Sequence, residues 1–257
     1  MTPVQDKVTE AFEIVGAARP ARWLITCDHA TNRVPDWVSG GDLGLPAADM
    51  ARHIAYDPGA AGVARALGDL LDAPVVLSRF SRLVMDPNRG EDDPTLLMRL
   101  YDGTVIPANR AADADERGRR LDRLYRPYHA AIDALAQRHP DTVIVAIHSF
   151  TPQLRARPPR PWHIGVLFDE ADPALSHALI AQLQAEGDLV VGANQPYSGH
   201  LPGDSIDRHA LQAGRANTLI EIRNDLIDGP AAQSLWAARL APLLQTALTQ
   251  AEGGRDA

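Results

Sequence analysis

Apolar residues along the chain fall into two alternating rhythms. Trp23–Cys27 (WLITC) is an almost unbroken apolar run, the pattern of a strand buried on both faces, and it stops abruptly at Asp28-His29. Gly59–Leu71 then places Val63, Leu67, Leu70 and Leu71 on one helical face, with Asp57-Pro58 marking its start. Pro74–Leu77 (PVVL) reads as a short strand. Glu116–His139 carries Leu121, Leu124, Tyr125, Tyr128, Ile132 and Leu135 at spacings of three and four, so a helix is expected there, kinked or divided by Pro127. DTVIVAIHSF, residues 141 to 150, is rich in β-branched residues and reads as a central strand. Further strands are expected at His163–Phe168, Leu189–Val191 and Thr218–Ile222, with helices at Pro173–Glu186 and Ala232–Leu248. Strands alternating with helices predict an α/β sandwich with helices on both faces of the sheet. No internal repeat or domain linker interrupts the pattern, so residues 1–257 form one domain. ARPPRPWH joins two strand candidates and reads as a surface loop.

The composition is globular, with 45% hydrophobic and 23% charged residues. A net charge of −8 gives no electrostatic footprint for nucleic acid. Arg117, Arg119, Arg120 and Arg123 are interleaved with Asp113, Asp115, Glu116 and Asp122, which reads as a solvated helix face. The single cysteine, Cys27, forms no internal disulfide. The N-terminal stretch is polar and acidic, unlike a signal peptide, and no apolar run approaches the ~18 residues that span a bilayer. A soluble cytoplasmic protein without membrane partners is the expectation.

The polar residues at strand ends are the candidates for chemistry. Asp28 and His29 follow the first strand, His148 and Ser149 end the central one, and Glu221 lies near the end of TLIE. If these strands are parallel neighbours, the groups meet in the crevice where open α/β sheets bind ligands. Two histidines and a carboxylate or amide oxygen make a three-ligand zinc site with a position left for water. Zinc lowers the pKa of that water toward ~7, and a glutamate outside the ligand set can take its proton. Each histidine alone is equally at home as a hydrogen-bonded residue at a strand end. No HExxH, GxSxG, P-loop or GxGxxG occurs. Ser149 and its neighbour His148 point to opposite faces of the strand. Cys27 and His29 share a face, so a thiol–imidazole pair stands open beside a plain buried cysteine. In SRLVMDPNRG, Arg82 and Arg89 are candidates for an anionic ligand, with Asn88 as an amide donor; a salt bridge to one of the chain's acids is the other reading of Arg82.

CDHATNRVP, HIAYDPGAAGVARALGDLL, SRFSRLVMDPNRG, RPYHAAID, AIHSFTP, RPWHIGVLF, NQPYS and IEIRNDL follow one another in this order. Together they resemble the N-formylglutamate amidohydrolase family, from about Trp23 to the closing helix. The resemblance implies a three-layer α/β/α sandwich around a mixed, mainly parallel sheet, as in the related zinc carboxypeptidases. It implies His29 as first metal ligand, His148 as last, Glu221 as general base, and Asn88-Arg89 as the pair holding a substrate carboxylate. Carboxypeptidases carry a glutamate ligand three residues after the first histidine, and here that position is Asn32. Asp57 is the preferred substitute, although a helix N-cap explains it as economically; Asn32 through its carbonyl oxygen and Asp28 are the other options. The implied cofactor is one zinc, or another divalent metal, per chain. The implied substrate is a small anionic N-acyl amino acid, N-formyl-L-glutamate first, cleaved to formate and glutamate in amino-acid catabolism, specifically histidine degradation. Arg82 or Arg223 would reach its side-chain carboxylate, and Asn32, His200 and His209 are further candidate contacts. Another N-acyl or N-carbamoyl amino acid, or an inactive binding member of the family, are the alternatives.

Overall fold

The computed structural model describes residues 4–199 and 201–254. Its strands, in chain order, are β1 (Lys7–Val8), β2 (Phe12–Val15), β3 (Trp23–Cys27), β4 (Val75–Ser78), β5 (Leu100–Tyr101), β6 (Thr104–Val105), β7 (Val143–Phe150), β8 (Ile164–Leu167), β9 (Val191–Ala193) and β10 (Asn217–Arg223). Its α-helices are α1 (Ala47–Met50), α2 (Ala60–Leu70), α3 (Pro107–Arg110), α4 (Ala114–Arg120), α5 (Arg126–Ala136), α6 (Ala174–Ala185), α7 (Ser205–His209) and α8 (Pro230–Gly253). Eight strands form one sheet in the order β1-β2-β4-β3-β7-β10-β8-β9, and β5 and β6 form a separate hairpin. The four central strands β4, β3, β7 and β10 are parallel. β2 and β8 flank them antiparallel.

The alternation of side chains along β7 explains the layers. Val143, Val145 and Ile147 join α2, α6 and α8 in one core, while Ile144 and Ala146 join α5 in the other. The result is a three-layer α/β/α sandwich on a mixed sheet whose centre is parallel. Among the described residues, no helix is long and apolar enough to cross a membrane.

Several boundaries depart from the sequence pattern. The helix expected over 116–139 is α4, a π-helical turn at Leu121–Tyr125, and then α5. Pro127 sits in the first turn of α5, where its missing N–H is tolerated, and the wider π turn absorbs the change. β9 begins two residues later than expected, at Val191. The hairpin β1–β2 has no counterpart in the sequence reading, because its four-residue second strand is only half-buried.

Three adjacent parallel strands, β3, β7 and β10, end on the same edge of the sheet. Their register sets Glu221 directly beside His148. Both residues alternate with members of the α5-side core, Leu219 and Ala146, and so project from the same face.

Candidate metal centre and substrate cavity

His29 follows β3, and the Asp57 backbone N–H donates to the His29 carbonyl oxygen at 2.9 Å. That bond brings Asp57, 28 residues downstream, beside both histidines. Its Oδ2 lies 3.2 Å from His29 Nδ1 and 2.9 Å from His148 Nδ1, and the Ser149 backbone N–H reaches it at 3.3 Å. The ligand atoms of His29, Asp57 and His148 all lie within 4.8 Å of one another. Donors bound to tetrahedral zinc at about 2.0–2.1 Å stand roughly 3.3 Å apart, close to the 3.2 and 2.9 Å that separate Asp57 Oδ2 from the two Nδ1 atoms. The Asp57 side chain does not cap α2. Its N-cap is Gly59, with φ 82° and no side-chain cap. A Cβ at Gly59 would meet the Ile227 carbonyl at 2.6 Å, so the turn that delivers Asp57 requires glycine.

The outer nitrogens of the two rings face two further carboxylates. His29 Nε2 is 2.7 Å from Asp86 Oδ1, and His148 Nε2 is 3.3 Å from Asp28 Oδ2. A carboxylate accepts only, so a ring proton on Nε2 suits Asp86 and Asp28 and leaves each Nδ1 lone pair for a cation, whereas without a cation the Asp57 contacts call for a proton on Nδ1. Asp86 is also gripped by Arg82, at 2.8 Å from Nη2 and 3.2 Å from Nε, and Arg82 Nη1 lies 3.5 Å from Asp57 Oδ1. Burial would raise the Asp86 carboxyl, but the Arg82 charge holds it well below the usual range. Burial likewise opposes ionisation of Asp28, and the contact with His148 holds it down at about 2. Asp28, Asp57 and Asp86 are thus three buried anions against one buried guanidinium. Two negative charges are left over, which matches a divalent cation on neutral imidazoles. Without one, His148 takes up a proton: burial opposes its charge, but Asp28 and Asp57 outweigh burial and drive its pKa well up. The donor set and its charge therefore fit a metal such as zinc.

Glu221 completes the cluster from β10. Its Oε2 is buried with no hydrogen-bond partner, and burial pushes its carboxyl up to about 7. All four groups open onto a cavity of about 260 Å³. Arg82, Asn88 and Arg89 line it on one side, and Phe150, Leu167 and Leu219 supply apolar wall. Arg89 donates to the Asn88 carbonyl at 2.6 Å and to Thr95 Oγ1 at 3.1 Å, with no carboxylate among its hydrogen-bond partners in the described residues. The Asn88 side-chain oxygen accepts from the Ser205 backbone N–H at 3.2 Å, which turns its amide donor elsewhere. A larger open groove of about 1150 Å³ lies beyond His53, but neither histidine of the cluster nor Glu221 reaches it.

The structure therefore brings together His29, Asp57, His148, Glu221, Arg82, Asn88 and Arg89, and leaves three expected contacts outside. Asn32 spends its amide on the Met50 carbonyl at 2.8 Å and does not line the cavity. Arg223 pairs with Asp225 at 2.8 Å, beyond the cavity wall. His209 is buried between His129, 2.8 Å from its Nε2, and Asp133, 2.6 Å from its Nδ1. His200 lies outside the described residues. Asp28 is behind His148 and away from the converging Nδ1 atoms, so it does not compete with Asp57 as third ligand. Cys27 is fully buried in the core, and burial raises its thiol pKa well above normal, so no thiol–imidazole pair forms. Sequence reasoning missed Asp86, Tyr128 and Ser205. Asp86 stands in the quoted SRLVMDPNRG, but no linear signal ties it to a histidine 57 residues away.

Comparison with known proteins identifies the family and the fold. The family model described as N-formylglutamate amidohydrolase matches residues 21–228. An N-formylglutamate deformylase of Pseudomonas putida is 28% identical over 214 residues, covering 72% of this chain and 73% of the relative. Among solved structures, a gene product of Agrobacterium tumefaciens is 37% identical with a TM-score of 0.87, over 95% of this chain and 97% of that one. The N-formylglutamate amidohydrolase of Ralstonia eutropha shares the fold at 21% identity and a TM-score of 0.70, over 95% of this chain and 100% of that one.

Proposed function

The chain belongs to the N-formylglutamate amidohydrolase family, and from that premise we propose that it hydrolyses the amide of an N-formyl amino acid, N-formyl-L-glutamate first, using one divalent metal held by His29, Asp57 and His148. The observation that carries this reading is the convergence of two imidazole Nδ1 atoms on one Asp57 oxygen, beside an unpartnered Glu221 carboxylate. Zinc is the preferred metal for two nitrogens and one oxygen. When bound, it polarises the formyl carbonyl and brings the pKa of water toward ~7.

The residues of the chain supply the rest. Arg89 receives the substrate α-carboxylate through two parallel hydrogen bonds, and the Asn88 amide adds a donor. Glu221 takes a proton from the attacking water as its oxygen bonds to the formyl carbon. The same carboxyl then passes that proton to the amide nitrogen as the C–N bond breaks, releasing formate and the amino acid. The apolar wall excludes competing water from the reacting atoms. Arg82, already held by Asp86 and Asp57, keeps the metal side of the cavity charge-balanced.

That commitment of Arg82 favours a second reading of the substrate. With Arg82 spent on acids and Arg223 outside the cavity, another N-acyl or N-carbamoyl amino acid, carrying a single carboxylate for Arg89, fits the same site. A substrate panel decides. Formate release from N-formyl-L-glutamate at a kcat/KM at least tenfold above that for hydrolysis of N-formyl-L-leucine and N-carbamoyl-L-leucine supports the first reading. The reverse order supports the second, and no release of amine from any member sinks both.

A further inference from the structure

The two histidines of the cluster are backed by carboxylates in unlike settings. Asp86, behind His29, has its charge matched by the Arg82 guanidinium and accepts from the Asn88 backbone N–H at 2.9 Å. Asp28, behind His148, makes no ion pair with arginine or lysine among the described residues. Its Oδ1 accepts from the Tyr128 hydroxyl at 2.6 Å and from Ser205 Oγ at 2.9 Å. Its Oδ2 makes no hydrogen bond, and neither does His148 Nε2, 3.3 Å away; both atoms are buried. Two buried polar atoms so close, each lacking another partner, can satisfy only each other. Asp28 is fully shielded from solvent. Three separate segments meet on it: Tyr128 from α5, Ser205 from the start of α7, and His148 from β7.

We propose that Asp28, held by the hydroxyls of Tyr128 and Ser205, is a positioning residue that fixes the ring of His148 with Nδ1 free and turned toward the metal. The inference rests on the metal reading above. The hydroxyl pair matters because Asp28 follows β3 on a backbone that also carries His29. Without donors to Oδ1, the carboxylate could rotate about its own side-chain bonds and release Nε2. Hydroxyl donors hold it in place while leaving its negative charge uncancelled, so the full anion faces His148. A guanidinium there would divert that charge, as Arg82 does for Asp86. The two imidazoles are thus backed differently: His29 by a charge-matched Asp86 at 2.7 Å, His148 by an Asp28 at 3.3 Å whose charge no guanidinium shares. Ser205 also reaches the substrate side, since its backbone N–H anchors the Asn88 side chain. One residue at the start of α7 therefore touches supports of both the metal and the carboxylate clamp.

The test is zinc affinity, measured on the full chain by competition with a chromogenic chelator, together with the melting temperature of the metal-free protein. Loss of a carboxylate behind a ligating histidine costs typically 10–100-fold in metal affinity. Asp28→Asn is expected to weaken zinc binding by that factor. Ser205→Ala and Tyr128→Phe each remove one donor and are expected to weaken it several-fold. Ser205→Thr keeps the hydroxyl and is expected to restore it. A folded Asp28→Asn protein that binds zinc as tightly as wild type overturns the inference. So does a Ser205→Ala protein with lowered melting temperature but unchanged zinc affinity, which is the behaviour of a purely structural contact. If Asp28→Asn does not fold, the Ser205→Ala and Tyr128→Phe pair decides by the same criterion. Wild-type protein that binds no zinc defeats the metal reading itself, an outcome separate from these.

Discussion

Replacing Glu221 by glutamine separates the parts of this site most cleanly. The side chain keeps its shape and its place on β10, but it can no longer accept a proton near neutrality. Loss of a general base slows turnover about 10²–10⁴-fold, or about 3–5 kcal/mol at 1.36 kcal/mol per tenfold. The structure also fixes an effect on stability with the opposite sign. Burial pushes the Glu221 carboxyl up to about 7 in the metal-free protein, from an ordinary 4.5. The folded state therefore holds this proton more tightly than the unfolded chain does. Stability tied to the neutral carboxyl is fully present below about pH 4.5, and is lost as pH rises through about 7. Above pH 7 the penalty is on the order of 3 kcal/mol. Metal-free Glu221→Gln protein should then be as stable as wild type near pH 4 and more stable at pH 8, by several degrees in Tm. Thermal melts at the two pH values and single-turnover formate release on zinc-loaded protein measure both effects. Unreduced turnover would remove Glu221 from the mechanism. A variant less stable than wild type at pH 8 would show that the carboxylate is held by an ion pair, contrary to its unpartnered Oε2.

Arg89→Ala should raise KM for an N-formyl amino acid tenfold to a hundredfold, about 1.5–3 kcal/mol, while the corresponding amide loses far less; equal losses on both would make Arg89 structural. Arg82→Met strips Asp86 and Asp57 of their only guanidinium partner among the described residues, so it should destabilise the fold by about 3–5 kcal/mol, seen as a Tm drop on the order of 10 °C; an unchanged Tm would contradict the charge assignment. The kcat/KM profile should rise with pH along an acid limb as Glu221 ionises, with an apparent pKa at or below about 7 because a bound cation favours the carboxylate, and Glu221→Gln should lack that limb; a limb that persists in the variant assigns it to another group.

Legibility in the sequence follows from how local each feature is. β3, β7 and β10 stand out because buried parallel strands are unbroken apolar runs, and the polar residues that end them are the cluster itself. The helices of both outer layers are legible from their periodicity. The orientation of β8 is not, since nothing within HIGVLF encodes its antiparallel pairing with β10. Spacing from His29 points to Asn32, yet the chain turns that side chain onto Met50 and folds Asp57 back through a backbone hydrogen bond. Such a substitution depends on a tertiary contact between segments 28 residues apart. Asp86 was hidden for the same reason, and Asp28, legible as a candidate ligand, was not legible as a partner of His148: both lie beside recognised motif residues, but their pairing with His29 and His148 is set by the sheet order. His209 shows the converse. It sits in a loop that reads as exposed, while its ring is stacked on His129 inside the protein.

The central claim is that His29, Asp57 and His148 hold a metal without which the amide is not cleaved. The most direct measurement strips the purified protein with a chelator, confirms metal below a tenth of an equivalent, and follows formate release from N-formyl-L-glutamate as zinc is added back. The expected result is negligible turnover in the stripped protein, rising linearly and levelling at one zinc per chain, with no such recovery in Asp57→Ala. Full turnover by the metal-free protein would contradict the claim.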